Sequence, residues 1–85
     1  MSNLITIEVN TRGLYKTLAE LTGLTFTADT EYVLQGAGAE FFLREGTEGN
    51  GFKIANKEKV QWKQGNDNIY IKTMAYDKIS INIAE

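Results

Sequence analysis

Cysteine, histidine and proline are all missing from this chain of 85 residues, and each absence excludes something. Without cysteine there is no disulfide framework to supplement the core. Without cysteine or histidine, nucleophilic catalysis of the Cys–His or Ser–His type is impossible, and so are zinc sites of the usual composition. Without proline, exposed sheet edges lack one common form of protection, so we expect them to rely on charge, on short strands or on pairing with another chain.

Positive charge is also scarce. The chain has 9 basic and 11 acidic residues, for a formal net charge of −2. Its lysines are scattered among acidic residues, whereas nucleic-acid-binding proteins concentrate positive charge into a patch or stripe. No stretch approaches the ~20 apolar residues that a membrane span needs, and the first residues lack the basic n-region of a signal peptide. We therefore expect a soluble protein, made in the cytoplasm, that binds neither nucleic acid nor membrane.

Length and composition favour one folded domain over residues 1–85. Typical domains run to roughly 100–150 residues, so a chain this short rarely divides. Hydrophobic residues make up 42% of the chain and aromatic residues 11%, which suits a folded domain rather than a disordered one. A domain of this size buries only about 60% of its unfolded surface, so we expect a free energy of unfolding of a few kcal/mol.

Apolar and polar residues alternate along most of the chain, which is the pattern of half-buried strands. Turn-forming residues separate the runs near 28–30, 36–38, 46–51, 55–57 and 65–68. Runs spaced by about 8–12 residues predict an all-β fold, a small antiparallel β-sandwich or partly open barrel of seven or eight short strands. The alternating apolar positions are Ile5, Ile7 and Val9; Leu24, Phe26 and Ala28; Tyr32 and Leu34; Phe41 and Leu43; Phe52 and Ile54; Val60 and Trp62; Ile69 and Ile71; and Ile79, Ile81 and Ile83.

Helix and strand compete between residues 13 and 22. Leu14, Leu18 and Leu21 are spaced as one apolar stripe of a helix, and Thr11 would cap its start and Gly23 its end. A strand around 15–19 fits the same short run, because periodicity cannot separate the two at this length. The sequence therefore leaves one short helix here as an alternative to a strand.

Candidate catalytic and metal-binding residues are few. Glu40, Glu45 and Glu48 could approach one another as paired carboxylates, the groups that hydrolyse glycosides. Their positions on predicted polar strand faces and in a loop favour a structural role, since charged residues mostly lie on the surface. The glycine-rich run at 46–51 precedes a strand pattern, not the helix that a phosphate-binding loop needs, and the turn at 65–68 offers one carboxylate where a calcium site uses several. We predict no enzymatic activity, no cofactor and no metal.

Aromatic residues are the best candidates for a binding surface. Trp62, Tyr70 and Tyr76 could form a platform that stacks on sugar or contacts a partner, although Trp62 beside Val60 also fits the core. Phe42 follows a second phenylalanine in the same predicted strand, so one of the two rings faces away from the core. A bare outer ring promotes aggregation, and we hypothesise that Phe42 meets another chain. The candidate interface is Phe42, Trp62, Tyr70 and Tyr76.

Several short motifs follow one another in a set order from Leu18 to the last residue. They are Leu21-Thr22-Gly23, Leu24-Thr25-Phe26, Glu31-Tyr32-Val33-Leu34-Gln35, Val60-Gln61-Trp62, Asn68-Ile69-Tyr70-Ile71-Lys72 and Ile79-Ser80-Ile81-Asn82-Ile83-Ala84-Glu85. This order resembles that of small β-sandwich structural proteins of tailed bacteriophages, such as head decoration or fibre-base proteins. The loop at 46–51 departs from it, since it lacks the proline that those proteins often carry, and the strand pattern at 4–9 lies outside it.

The resemblance implies an accessory role on the virion: decorating or stabilising the capsid, or seating a head fibre. The expected partners are other virion proteins (the major capsid protein or a fibre) and further copies of the chain, as in a homotrimer. No site residues transfer, because none belongs to these motifs. The alternative is a tail or host-adhesion module that binds cell-surface carbohydrate. The expected location is the virion, after synthesis in the host cytoplasm.

Overall fold

The computed structural model describes residues 5–47, 49, 51–74 and 78–84, which contain eight strands and one short helix. The sequence predicted seven or eight strands, and the described residues contain eight. The elements are β1 (Ile5–Val9), β2 (Lys16–Thr17), α1 (Leu18–Thr22), β3 (Glu31–Ala37), β4 (Phe41–Glu45), β5 (Phe52–Ile54), β6 (Lys59–Lys63), β7 (Ile69–Thr73) and β8 (Ile79–Ala84).

The strands form two antiparallel sheets of four strands each, so the predicted sandwich is confirmed and the barrel alternative is not adopted. Sheet A has the strand order β1-β8-β3-β6, and sheet B has the order β2-β7-β4-β5. In sheet A the first strand pairs with the last, from Ile5 opposite Ile83 to Val9 opposite Ile79. In sheet B, β4 pairs on one side with β7 and on the other with β5.

The core lies between the sheets, because alternation turns every second residue of the central strands inward. In β8, Ile79, Ile81 and Ile83 are buried, and Ile69 and Ile71 of β7 face them from the other sheet. Burying one such side chain fully contributes about 1.5–3 kcal/mol relative to exposure. The other buried apolar residues are Val9, Leu18, Tyr32, Leu34, Phe41, Leu43 and Ile54.

Both alternatives for residues 13–22 are realised in turn, as a two-residue strand followed by a five-residue helix. Thr17 caps the helix, because its hydroxyl accepts a hydrogen bond from the Glu20 backbone N–H at 3.0 Å. Gly23 ends it in the left-handed conformation, with φ 75°. The prediction for Gly23 is confirmed, whereas that of Thr11 as the cap is wrong.

Thr11 instead ties the two sheets together with Thr73, the last residue of β7. Each backbone N–H donates to the other residue's hydroxyl at 2.9 Å, and both side chains are buried. A buried polar group needs such a partner, because leaving it unsatisfied costs about 1–3 kcal/mol. This reciprocal pair connects the segment after β1 in sheet A to sheet B.

Two other predicted boundaries are wrong. Residues 24–28 form no strand; the Phe26 ring packs edge-on against Tyr32, with ring centroids 5.2 Å apart, at the end of the sandwich. Gly36 and Ala37 were expected in a turn but extend β3. A Cβ at Gly36 would lie 2.8 Å from two ring atoms of Phe41, so glycine here allows a ring of the opposite sheet to approach the strand.

Sheet edges follow the expectation from the missing proline. Both edge strands of sheet B are short, with two residues in β2 and three in β5. In sheet A, the edge strand β6 begins and ends with the exposed lysines Lys59 and Lys63. Short edges and exposed lysines both discourage pairing with further strands.

Candidate binding surface

The outer side of sheet B carries aromatic and basic side chains next to one another. Alternate residues of β4 and β7 are buried, so Phe42, Arg44, Tyr70 and Lys72 project away from the core. The strand register places Phe42 opposite Lys72 and Arg44 opposite Tyr70. Tyr15, which precedes β2, adds a third ring over the same side. We call these five residues the cation–aromatic face.

Cation–π contacts connect the members of this face. The Arg44 guanidinium lies 3.8 Å from the Tyr15 ring centroid and 5.5 Å from that of Tyr70. The Lys72 ammonium lies 5.0 Å from the Tyr15 centroid and 4.7 Å from that of Phe42. Such contacts are worth about 0.5–1 kcal/mol when exposed and about 2 when desolvated. The rings therefore hold both cations in place over the sheet.

Tyr15 can reach across the sheet because residue 51, immediately before β5, is a glycine. Gly51 has φ 76°, and a Cβ there would collide with the Tyr15 hydroxyl and lie 2.9 Å from the Leu43 carbonyl oxygen. Only glycine satisfies both the left-handed backbone and the close approach. The phenol thus spans from the β2 edge to the β5 edge, over Arg44.

Arg44 is only partly satisfied within the described residues. Its Nη1 donates to the Gly49 carbonyl oxygen at 2.8 Å, which fixes the guanidinium beside the β4–β5 loop. Its Nε is inaccessible to solvent and has no hydrogen-bond partner among the residues that the structure describes. A guanidinium carries five N–H donors in a fixed planar arrangement. Arg44 therefore has donor capacity that the described chain does not use.

No carboxylate neutralises Arg44 or Lys72 within the described part of the chain, although both side chains are half-buried. Three other lysines do have acidic partners within 4.0 Å. Those pairs are exposed and contribute little, about 0–1 kcal/mol each. They are Lys16–Glu20 at 3.9 Å, Lys53–Glu40 at 3.7 Å and Lys78–Glu8 at 3.8 Å.

Phe42 and Tyr70, two of the four residues predicted as an interface, lie together on the cation–aromatic face, while Trp62 lies elsewhere. The register of β6 with β3 places Trp62 opposite the buried Tyr32, and its ring packs against the core from sheet A. Phe42 does face outward as expected, but it is half-buried beneath Lys72 rather than bare. Tyr76, the fourth residue, lies outside the described residues.

Trp62 connects the two sheets at their β5–β6 edge. Its indole Nε1–H donates to Glu45 Oε1 of sheet B at 3.0 Å. The same oxygen accepts from the Gly65 backbone N–H at 2.9 Å, and the Phe52 ring lies 5.8 Å from the indole, centroid to centroid. An indole N–H is a donor only, so this contact uses the one hydrogen bond that the side chain can make.

The carboxylates considered for catalysis have structural partners instead. Glu45 accepts two hydrogen bonds inside the sandwich, and Glu40 pairs with Lys53. Glu48 lies outside the described residues. Among residues 5–47, 49, 51–74 and 78–84, no group of three or more acidic side chains could hold a metal ion. These contacts fit the structural interpretation of Glu40 and Glu45.

Two hollows accompany the sheets. A polar groove of about 560 Å³ adjoins Tyr70 at one end of sheet B, and an apolar cavity of about 180 Å³ lies at the end of sheet A beside Phe26 and Tyr32. Beside the groove, the Gly46 backbone N–H donates to the Asn68 carbonyl oxygen at 2.9 Å, one residue beyond the last β4–β7 pair. The groove is lined by Glu45, Gly46, Thr47, Asp67, Asn68 and Tyr70.

Comparisons with protein-family models, with curated proteins and with solved structures find no significant match for this chain. No helix in the described residues is long and apolar enough to cross a membrane. The cation–aromatic face is therefore interpreted from its own geometry.

Sequence reasoning missed Arg44, Lys72 and Tyr15. The first two had a signal: each stands two residues after an aromatic residue that was identified, and period two places such pairs on one face of a strand. Tyr15 had none, because its ring reaches the face only through the position of β2 beside β7. The sequence was enough to identify Phe42 and Tyr70, whereas Arg44 and Lys72 were assigned to the surface only from the strand register.

Proposed function

We propose that this protein is a non-catalytic accessory component of a tailed-bacteriophage virion, which attaches to a larger virion protein through the cation–aromatic face. It decorates or stabilises the capsid, or seats a head fibre there. The proposal extends the resemblance of strand order to a specific surface of this chain. Its mechanism is attachment, without any chemical step.

The observation that carries the proposal is the composition of that face. It combines three rings with two cations on the outer side of sheet B. Aromatic residues and arginine are enriched in protein interfaces, and lysine is depleted there. A surface with Arg44 between two tyrosine rings has the composition of an interface centre.

The resemblance covers the strand that carries two of these residues, although it assigns them no role. Its motif Asn68-Ile69-Tyr70-Ile71-Lys72 includes β7, which supplies Tyr70 and Lys72 to the face. Its closing motif includes β8, the central strand of sheet A. Virion accessory proteins bind at many symmetric positions, where avidity compensates for weak single contacts. A homo-oligomer, such as a trimer, would present several such faces at once.

Two of the three residues considered as a carbohydrate-binding platform do not lie together, and the third, Tyr76, lies outside the described residues. Trp62 packs against the core with its N–H bonded to Glu45, and Tyr70 lies on the outer side of the other sheet. Rings that stack on sugars need an open face, whereas the rings of Tyr15 and Tyr70 have a guanidinium over them. No contact in the described residues favours this alternative over attachment to protein.

Mass spectrometry of purified particles of the phage that encodes the chain tests the function. We expect peptides of this protein at many copies per particle. Its absence from infectious, gradient-purified particles would reject a virion role. The location of the attachment surface is tested separately, by substitutions in the same phage.

Phe42→Glu should remove the protein from particles, because loss of an aromatic residue at an interface centre costs about 2 kcal/mol or more, which is over tenfold in affinity. Gln61→Glu is the matched control, since it introduces the same charge at an exposed site on the outer side of sheet A. We expect the control to stay on the particle. Equal retention of the two variants, both folded by Trp62 fluorescence, would show that attachment uses another surface.

A further inference from the structure

We infer that the cation–aromatic face binds a segment of a partner protein that is rich in aspartate and glutamate, with Arg44 and Lys72 each receiving a carboxylate. The inference deepens the proposed function and depends on it only for placing that partner in the virion. The acidic chemistry of the partner follows from the chain's own residues.

The first step is the charge balance of the face. Arg44 and Lys72 are half-buried, and no carboxylate lies within 4.0 Å of either among the described residues. Removing a cation from water without a counter-charge is unfavourable, and a carboxylate in hydrogen-bonding range offsets that cost. The solvent-exposed lysines gain far less from an ion pair. An acidic partner is therefore favoured here over elsewhere on the surface.

The second step is the way in which the cations are held. Tyr15 lies within 3.8 Å of the Arg44 guanidinium and 5.0 Å of the Lys72 ammonium, centroid to cation, so one ring positions both. The Gly49 carbonyl fixes Nη1 of Arg44 as well. Side chains that are ordered before binding lose less conformational entropy on binding, which improves affinity. A planar guanidinium also suits bidentate carboxylate recognition.

The third step separates a protein partner from a nucleic acid. Single-stranded nucleic acid binds basic-aromatic sheets by stacking bases on open rings, but here the cations lie over the rings of Tyr15, Phe42 and Tyr70. A carboxylate needs a cationic N–H donor and not an open ring face, so the geometry favours an acidic peptide segment over a nucleic acid.

Fluorescence anisotropy of a labelled octaglutamate peptide, titrated with the full chain at about 50 mM salt, tests the inference. We expect saturable binding that weakens as salt is raised. The double variant Arg44→Gln/Lys72→Gln should weaken it at least about tenfold, since each lost charge-assisted contact removes more than an ordinary hydrogen bond. Lys59→Gln/Lys63→Gln, with the same change in net charge on exposed residues of sheet A, should change it by less than about twofold.

A further variant distinguishes weaker binding from loss of the native fold. The Lys72 ammonium contacts the Tyr15 and Phe42 rings and has no ion pair among the described residues. Lys72→Gln should therefore keep the native Trp62 emission and still weaken binding about threefold. Absence of saturable binding by the wild-type chain, equal losses in the two double variants, or tighter binding of an eight-nucleotide DNA strand would each overturn the inference. Displacement of the peptide by a second copy of the chain would overturn the inference too, because the second copy would then be the occupant of this face.

Failure of this inference and failure of the proposed function have different signatures. A chain that is present on particles but does not bind octaglutamate keeps its virion role and loses the acidic partner. A chain that binds octaglutamate through Arg44 and Lys72 but is absent from particles keeps the acidic specificity and loses the virion role.

Discussion

The outer sides of the two sheets differ in how their charged and hydrogen-bonding groups are partnered. Sheet B has the Lys53–Glu40 ion pair at its β5 edge, but its central cations have no such partner among the described residues. On sheet A, the Thr6 hydroxyl donates to Asn82 at 2.7 Å, and the Gln35 amide donates to the Lys57 carbonyl at 2.7 Å. Glu8 has a lysine partner there as well. On sheet B, two half-buried cations lie on aromatic rings without a carboxylate among the described residues.

This difference is the reason for assigning the proposed attachment to sheet B, since the inner sides of the two sheets are alike. Both sheets bury branched apolar residues in alternation, so the core gives no reason for the outer sides to differ. A surface that has satisfied its polar groups internally gains little from a partner, whereas one with unused donors gains charge-assisted hydrogen bonds. Substitutions that act on one side and spare the other therefore test the comparison directly.

Gly51→Ala should have the largest effect. Its Cβ would meet the Tyr15 hydroxyl and the Leu43 carbonyl, and φ is 76°; overpacking and left-handed strain together cost about 3 kcal/mol in free energy of unfolding. Gly49→Ala is the control, with φ 88° and nothing within 4 Å of its Cβ, and should cost about 1 kcal/mol. Urea denaturation measures both. Equal costs would mean that Tyr15 does not lie over the sheet as described.

Tyr15→Ala should have an intermediate effect. The substitution removes the ring that contacts both cations, and we expect a loss of about 1–2 kcal/mol in free energy of unfolding. Gln61→Ala, on the exposed side of sheet A, should stay within about 0.5 kcal/mol of the wild type. Thermal and urea unfolding of the two variants make the comparison. A Gln61 variant as destabilised as the Tyr15 variant would remove the contrast between the sheets.

Lys72→Gln should have the smallest effect on stability. It loses the contacts with Phe42 and Tyr15, worth about 0.5–1 kcal/mol, while Lys59→Gln loses no described contact and should be neutral within about 0.5 kcal/mol. The difference between the two lysine variants should shrink in high salt if solvent reaches the site. A more stable Lys72→Gln protein would mean that the uncompensated charge outweighs its ring contacts.

Alternation alone predicted most of the fold, because period two fixes which side chains share a face. The alternation correctly predicted the side on which these residues lie. Ile79, Ile81 and Ile83 face inward, and Phe42 faces outward. What failed depended on contacts distant in sequence. Gly36 was predicted in a turn, but it lies in β3, where the absence of a side chain makes room for the Phe41 ring of the other sheet.

The candidate site was half predictable for the same reason. Tyr70 could be recognised as an outward ring from its neighbours in β7, whereas the partner of Trp62 could not, since Glu45 lies in the other sheet. Thr11 was assigned to a helix end from local spacing, and its true partner is 62 residues away in sequence. Local patterns predict the side on which a residue lies, and only the packed sheets determine what it contacts.

The position of β8 between β1 and β3 has a consequence for how the protein is made. Ile5 pairs with Ile83, and β8 also pairs with the other central strand, β3, so sheet A lacks its middle until β8 has been synthesised. Pairings this distant in sequence slow folding. We expect truncated chains that stop before Ile79 to be protease-sensitive, because β1 and β3 then lack the strand that lies between them.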